Sequence, residues 1–362
     1  MKKILILFGG VSTEYDVSLI SAGNIINNIS KEKYDVLTLG ITRDGKWYLY
    51  SGTTEKIMNN EWINDRENLV PAIVSPDRSV HGITVCGEKT ENIRVDAVFP
   101  VLHGKNGEDG TVQGLLELAG IPFVGCDMIS SAMSMNKAVT NTIADHAKVA
   151  QAKWLKTTRH DYLKNGEKFR NECEEKLGFP LFVKPANAGS SVGISKVGSK
   201  NNLDDAVRKA LGVDDIIVVE EGIDGSEVEC AVLGNDDIMA PTVGEIVPCN
   251  DFYDYDAKYL ADKSELHIPA RLPDEKIDEV RREACKIFRA LGCSGFSRVD
   301  FFVRRSDGKV LFNEINTIPG FTPISMYPKM FDYAGIKYPE LIDRLISLAI
   351  EKKTESDNGL IK

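Results

Sequence analysis

Apolar residues recur along this chain with two different periods, and the alternation between those periods predicts its architecture. Near the N-terminus, KILILF is an unbroken apolar run that reads as a buried strand. A Ser/Thr-rich turn separates it from VSLISAGNIINNI, whose apolar positions return at helical spacing. VLTLGI reads as a second strand and is followed by a more irregular stretch to about residue 90. DAVFPVLHG is another buried strand, succeeded by the helical TVQGLLELAG and the short IPFVG. Strand–helix–strand order of this kind predicts an open parallel α/β sheet. Gly120-Ile121-Pro122 and Gly125 punctuate its end.

A helical connection begins at SSAMSMNKAVTNTIADHAKV, after which PLFVKP, NLDDAVRKAL and IIVVEE predict a compact α+β segment that ends at Gly222 to Gly225. The strongest helix signal follows: Pro273 at the start, Asp274 and Glu275 in the first turn, and Gly292 past the end. Its stripe of Ile277, Val280, Ala284, Ile287, Phe288 and Leu291 is a core face. FSRVDFF and VLFNEINTIPG read as strands joined by Ser306-Asp307-Gly308, and PELIDRLISLAI closes the fold. The expected division is residues 1–128, an N-terminal α/β unit; 129–222, a central α+β unit; 223–352, a C-terminal α+β unit; and 353–362, a polar tail that frays. There is no internal repeat.

Bulk properties narrow the function classes. At 362 residues, two or three domains are expected. With 43% hydrophobic and 27% charged residues the composition is that of a soluble globular protein. A net charge of −10 and a pI near 5.2 argue against a nucleic-acid or anionic-membrane partner, so an anionic substrate must be met by local basic residues. The apolar run ILILF ends at Gly9-Gly10, too short for a secretory leader, and no apolar stretch has the length of a membrane span. The seven cysteines are scattered without a C-x-x-C pair, the pattern of reduced cytoplasmic thiols. Zinc is disfavoured, because the five histidines are isolated. No G-x-S-x-G supports a serine hydrolase.

The C-terminal hairpin carries the most chemistry. If its turn centres on Asp307, Asp300 lies opposite Glu314; Asn316 shares a strand face with Glu314, and Arg298 with Asp300. A lone Glu-x-Asn is better read as a solvated strand face. Here three hard oxygen donors converge between apolar flanks, which favours Mg²⁺ shared with nucleotide phosphates. KPANAGSSVG, after the strand PLFV, is balanced between a phosphate cover anchored by Lys184 and a flexible hairpin; it is not a Walker A loop. Lys137 taken alone is a surface lysine. Glu220, Glu221 and Glu227 in VVEEGIDGSE suit ribose hydroxyls or an exocyclic amine as well as they suit a solvated loop. In GGVSTEYDVSL, Glu14 is placed either to hold an amine or to complement the following helix. NDFYDYDAKYL, residues 250–260, mixes aromatics with acids like a lid tipped by Lys258 and Tyr259. In HGKNGEDG, His103 and Glu108 are candidate substrate contacts, with turn formation as the alternative.

GGVSTEYDVSL, VLHGKNGEDG, KPANAGSSVG, FYDYDAKY, SRVDFF and NEINTIPGFTPISMYP together resemble, in order and spacing, the D-alanine–D-alanine ligases of the ATP-grasp fold. The resemblance covers nearly the whole chain, and the insertion before residue 95 is similar to that of the longer ligases. It implies ATP as co-substrate, two Mg²⁺ or Mn²⁺ ions on Asp300, Glu314 and Asn316, D-alanine as substrate, and a cytoplasmic homodimer. Lys137 and Lys184 would contact phosphates and Lys258 the γ-phosphate. Glu220, Glu221, Ile223, Glu227, Phe302 and Asn313 would line the nucleotide pocket. Glu14 would hold the first D-alanine's ammonium and, with Ser190 and Tyr259, tie the loops shut. Arg298 and the Gly320 N–H would form the oxyanion site, Ser325 would meet the second substrate's carboxylate, and Met326 would offer its side chain an apolar wall. Pro323 and Asn187-Ala188 depart from the family's usual residues in these loops. The alternatives are a ligase joining D-alanine to D-serine or D-lactate, another ATP-grasp carboxylate–amine ligase or carboxylase, and a non-catalytic nucleotide sensor.

Overall fold

The computed structural model describes the backbone of residues 1–247 and 265–359. Three sheets organise it. The first contains β1 (Lys2–Gly9), β2 (Tyr34–Ile41), β3 (Trp47–Tyr50), β4 (Leu69–Val74), β5 (Gly82–Cys86), β6 (Thr90–Arg94) and β7 (Ala97–Val101), in the order β6-β5-β4-β3-β2-β1-β7. Only β2, β1 and β7 are mutually parallel, as the strand–helix–strand pattern requires. The expected fully parallel sheet is corrected by the irregular stretch, which supplies the antiparallel strands β3 to β6. Only residues 42–46 separate β2 from β3, too few for a crossover, so the chain reverses. The helices α1 (Tyr15–Asn28), α2 (Thr54–Met58) and α3 (Thr111–Ala119) belong to this unit.

Two capped helices lead out of it. Asp127 accepts the Ser130 N–H at the start of α4 (Met128–Met135), and Asn136 accepts the Val139 N–H at the start of α5 (Lys137–His146). The second sheet is antiparallel, β10-β9-β11-β8, built from β8 (Trp154–Thr158), β9 (Leu181–Pro185), β10 (Ser195–Val197) and β11 (Ile216–Glu221). With α6 (Arg159–Leu177) and α7 (Leu203–Leu211) it encloses its own core around Leu181, Val183, Leu203, Val207, Ile217 and Val219.

The third sheet runs β14-β13-β12-β15-β16, from β12 (Gly225–Gly234), β13 (Val243–Val247), β14 (Glu265–His267), β15 (Gly295–Arg304) and β16 (Val310–Asn316). On one face, α8 (Asp274–Ala290) buries Val280, Ala284, Ile287 and Phe288 against Val228, Val299 and Phe301. The other face carries α9 (Met326–Tyr333) and α10 (Tyr338–Gly359) and shares a single core with the first sheet. Phe99 of β7 meets Phe296 and Phe321 edge-on at 6.4 and 6.1 Å, so the first and third units are welded while the central one stands on its own core. Helix α10 continues to Gly359, and Lys352 Nζ donates to Ser294 Oγ at 2.6 Å. Among the described residues no helix is long and apolar enough to cross a membrane.

Candidate active site

The second and third sheets and loops of the N-terminal unit line one cleft of about 1120 Å³. Its floor is the β15–β16 hairpin. Asp300 does pair with Glu314, and Arg298 with Asn316, but the turn is not the reason. Nearer the turn the partners are Phe301↔Phe312 and Val303↔Val310, a register offset by one residue. A bulge between Asp300 and Phe301 restores the opposition and leaves Asn313 as the extra residue. Asn313 and Glu314 then both line the cleft.

The register also places Glu229 of β12 directly opposite Asp300 on its other side, so Glu229, Asp300 and Glu314 form a row across three adjacent strands. Like charges in such positions repel unless cations lie between them. Arg298 supplies one, donating Nε and Nη2 to the two Asp300 oxygens at 2.8 and 2.7 Å while its Nε lies 3.1 Å from Glu229 Oε1. Asn316 Nδ2 donates to Asp300 Oδ2 at 3.0 Å, and Lys137 Nζ is 3.6 Å from Glu314 Oε2. Among the described residues no group of three His, Cys, Asp or Glu could hold a metal alone. The donor set of Asp300, Glu314 and Asn316 nonetheless fits Mg²⁺, which takes one or two carboxylates and completes its shell with phosphate oxygens and water.

One wall is built on the central sheet. Lys184 of β9 pairs with Glu220 of β11 at 2.6 Å and reaches Asn313 Oδ1 at 3.4 Å. Burial works to lower the Lys184 pKa, but the charge and hydrogen bond of Glu220 outweigh it and the net shift is upward. Asn141 of α5 donates to the other Glu220 oxygen at 3.1 Å. Lys137, first residue of α5, donates to the Ala188 carbonyl at 3.0 Å and so ties the Gly-rich loop to β16. Ile223, Glu227 and Phe302 line the same side, as does Glu221, which accepts the Lys153 N–H at 2.9 Å.

The opposite wall joins the N-terminal unit to the loop after β16. Ser190, in the left-handed region with φ +48°, donates to Glu14 Oε1 at 2.5 Å. Gly104 permits that approach: a Cβ there would sit 2.2 Å from Glu14 Oε2. His103 and Glu108 border the cleft, yet their polar atoms are engaged in holding the loop. Glu108 accepts the Gly104 and Ile318 N–H groups, both at 2.9 Å. His103 contacts the Ile318 carbonyl at 3.0 Å and Ser21 Oγ at 3.2 Å, and burial lowers its pKa. These two residues, expected as substrate contacts, line the cleft and also clamp the loop after β16. Ser325 Oγ accepts the Thr322 N–H at 3.0 Å and lies beside Gly320, and Met326 is buried over Gly244.

Lys258 and Tyr259, with the rest of the expected lid at 250–260, lie outside the described residues. Asn141, Glu229, Ser21 and Thr322 also contact site residues, though they are not among the expected ones. Asn141 stands four residues after Lys137, a same-face spacing that was available to read. Glu229 stands two after Glu227 and shares its strand face, but only the β12–β15 register brings it to Arg298.

The chain is similar to known proteins along nearly its whole length. The family profile described as D-ala D-ala ligase N-terminus matches residues 3–126, and that described as D-ala D-ala ligase C-terminus matches residues 143–347. The D-alanine–D-alanine ligase of Acetivibrio thermocellus is 49% identical, covering 98% of this chain and 97% of the relative. That of Caldicellulosiruptor bescii is 48% identical over 98% and 96%. Among solved structures, VanG D-Ala:D-Ser ligase from Enterococcus faecalis superposes with a TM-score of 0.88 at 48% identity, covering 96% of this chain and 99% of that one. The D-alanine–D-alanine ligase from Coxiella burnetii gives 0.86 at 33% identity, over 99% and 98%. The chain belongs to the D-alanine–D-alanine ligase family and has its ATP-grasp fold.

Proposed function

We propose that this protein joins two D-alanines into D-alanyl-D-alanine, driven by ATP, for peptidoglycan precursor synthesis. What supports the reading is the meeting, in one cleft, of the buried Glu14 carboxylate held by Ser190, of Lys137 and Lys184 on Glu314 and Glu220, and of Asp300 beside the Arg298 guanidinium. In the mechanism, Glu14 holds the first D-alanine by its ammonium, with Ser190 and Tyr259 closing the loops around it. Its carboxylate oxygen attacks the γ-phosphorus of ATP, and ADP leaves. Lys137, Lys184 and Lys258 offset the charge on the phosphates; Glu220, Glu221, Ile223, Glu227, Phe302 and Asn313 hold the nucleotide. Two Mg²⁺ or Mn²⁺ ions, held by Asp300, Glu314 and Asn316, would neutralise charge on the phosphate oxygens. The second D-alanine, held by its carboxylate at Ser325, attacks the acyl carbon of D-alanyl phosphate with its amine. Arg298 and the Gly320 N–H stabilise the oxyanion that forms, and phosphate departs. His103 and Glu108 keep the Gly320 loop in place.

The similarity to a D-Ala:D-Ser ligase supports a second reading, in which D-serine is the acceptor. The apolar Met326 favours D-alanine, since a thioether leaves a hydroxyl without a partner. Cytoplasmic action, in keeping with six described cysteines that are all free, and a homodimeric state belong to the same proposal. ADP release with and without D-alanine tests the reading: turnover that depends on D-alanine supports a ligase, and D-alanine-independent hydrolysis or none at all opposes it.

A further inference from the structure

Arg298 is divided between two carboxylates. Its fork lies bidentate on Asp300, and its Nε also faces Glu229 at 3.1 Å. Glu229 is 6% exposed and is fixed opposite Asp300 by an unbroken antiparallel pairing from Gly225 to Gly234. Asp300 is asked to serve two partners, because a divalent ion on its oxygens draws electron density from them and weakens their hydrogen bonds to the guanidinium. An arginine released by Asp300 with nothing else to hold it would lose the placement that an oxyanion donor needs, and errors of about 1 Å are enough to slow an enzyme severely. Glu229 stands where it can retain the guanidinium through the Nε edge, leaving both Nη groups to turn toward the cleft.

We propose that Glu229 is a positioning residue that holds Arg298 when Asp300 turns to the metal, coupling metal binding to assembly of the oxyanion site. The inference rests on the ligase reading above. A simple neutralising role for Glu229 would act on the cleft's total charge whether or not Arg298 is present; retention acts only through Arg298.

A double-mutant cycle on the full-length enzyme separates the two. Glu229→Gln is measured alone and in an Arg298→Gln background, reading Mn²⁺ binding in the presence of ADP by paramagnetic resonance, kcat, and KM for ATP. Alone, Glu229→Gln is expected to weaken Mn²⁺ binding and to lower kcat by about tenfold each while KM for ATP stays within about twofold. In the Arg298→Gln background it is expected to change neither further. Equal losses in both backgrounds, or no loss in either, overturn the proposal. Glu229→Asp keeps the charge at shorter reach and should fall between wild type and Glu229→Gln; an aspartate variant as impaired as the glutamine, at matched thermal stability, also overturns it. Failure of the ligase reading shows separately, as wild-type enzyme that binds Mn²⁺ but releases no ADP in response to D-alanine.

Discussion

Replacing Lys184 with methionine strands a carboxylate. The Lys184 and Glu220 side chains are 12% and 10% exposed and 2.6 Å apart, so the pair is withdrawn from water on both sides. Breaking such a pair from one side costs about 3–5 kcal/mol, because the remaining charge has lost its partner without regaining solvent. Asn141 still donates to Glu220 at 3.1 Å, which places the expected cost near the lower end, about 3 kcal/mol. That is roughly a hundredfold in the opening equilibrium of the region. Adding Glu220→Gln removes the stranded charge, so the double variant should recover more than half of the loss. Because β9 and β11 belong to a unit with its own core, hydrogen exchange of their amides reports the change locally. A single variant within about 1 kcal/mol of wild type, or a double variant less stable than the single, would refute the reasoning.

Glu314→Gln should keep the fold and lower kcat by about a hundredfold or more, the scale for losing one preorganised electrostatic group; near-normal turnover at saturating Mg²⁺ would count against the hard-oxygen site. A Cβ on Gly244 would lie 2.1 Å from Met326 Cε, the free end of a flexible side chain. Gly244→Ala should therefore fold, displace the methionine tip, and raise KM for the second D-alanine by about tenfold, the lower part of the 1–3 kcal/mol range for overpacking; an unchanged KM contradicts the wall. Burial, with the charge of Glu14 adding to it, pushes the Glu108 carboxyl up to about 8 from an ordinary 4.5. The native state then keeps a proton that the unfolded chain has lost, so stability falls as pH rises between those two values. Glu108→Gln cannot titrate and should flatten that slope in melting temperatures; parallel wild-type and variant curves would exclude it.

What the sequence disclosed depended on whether the signal was local. KILILF, the Pro273-led helix and the β15–β16 strands carried period and caps within a single window, and each formed where expected. β3 to β6 were read as irregular because short strands with exposed residues such as TENIR offer little periodicity; their pairing with one another makes them a sheet. The Asp300–Glu314 opposition was anticipated from a turn centred on Asp307, yet it depends on a bulge at Asn313 that no local pattern announces. The clamping of Ile318 by Glu108 spans 210 residues, and the approach of Arg298 to Glu229 requires a cross-strand register. Long-range pairings of this kind become visible only when the chain is folded.

On the proposed reading, this cleft activates one D-alanine and delivers it to a second. The most direct test supplies the enzyme with ATP, Mg²⁺ and equimolar D-alanine and D-serine at neutral pH and identifies the dipeptides by mass spectrometry. D-alanyl-D-alanine should be the main product, with minor D-alanyl-D-serine tolerable because an apolar wall discriminates by only about 1–3 kcal/mol. Predominance of D-alanyl-D-serine would make the D-serine ligase the better reading, and absence of any dipeptide alongside ATP hydrolysis would contradict the claim itself.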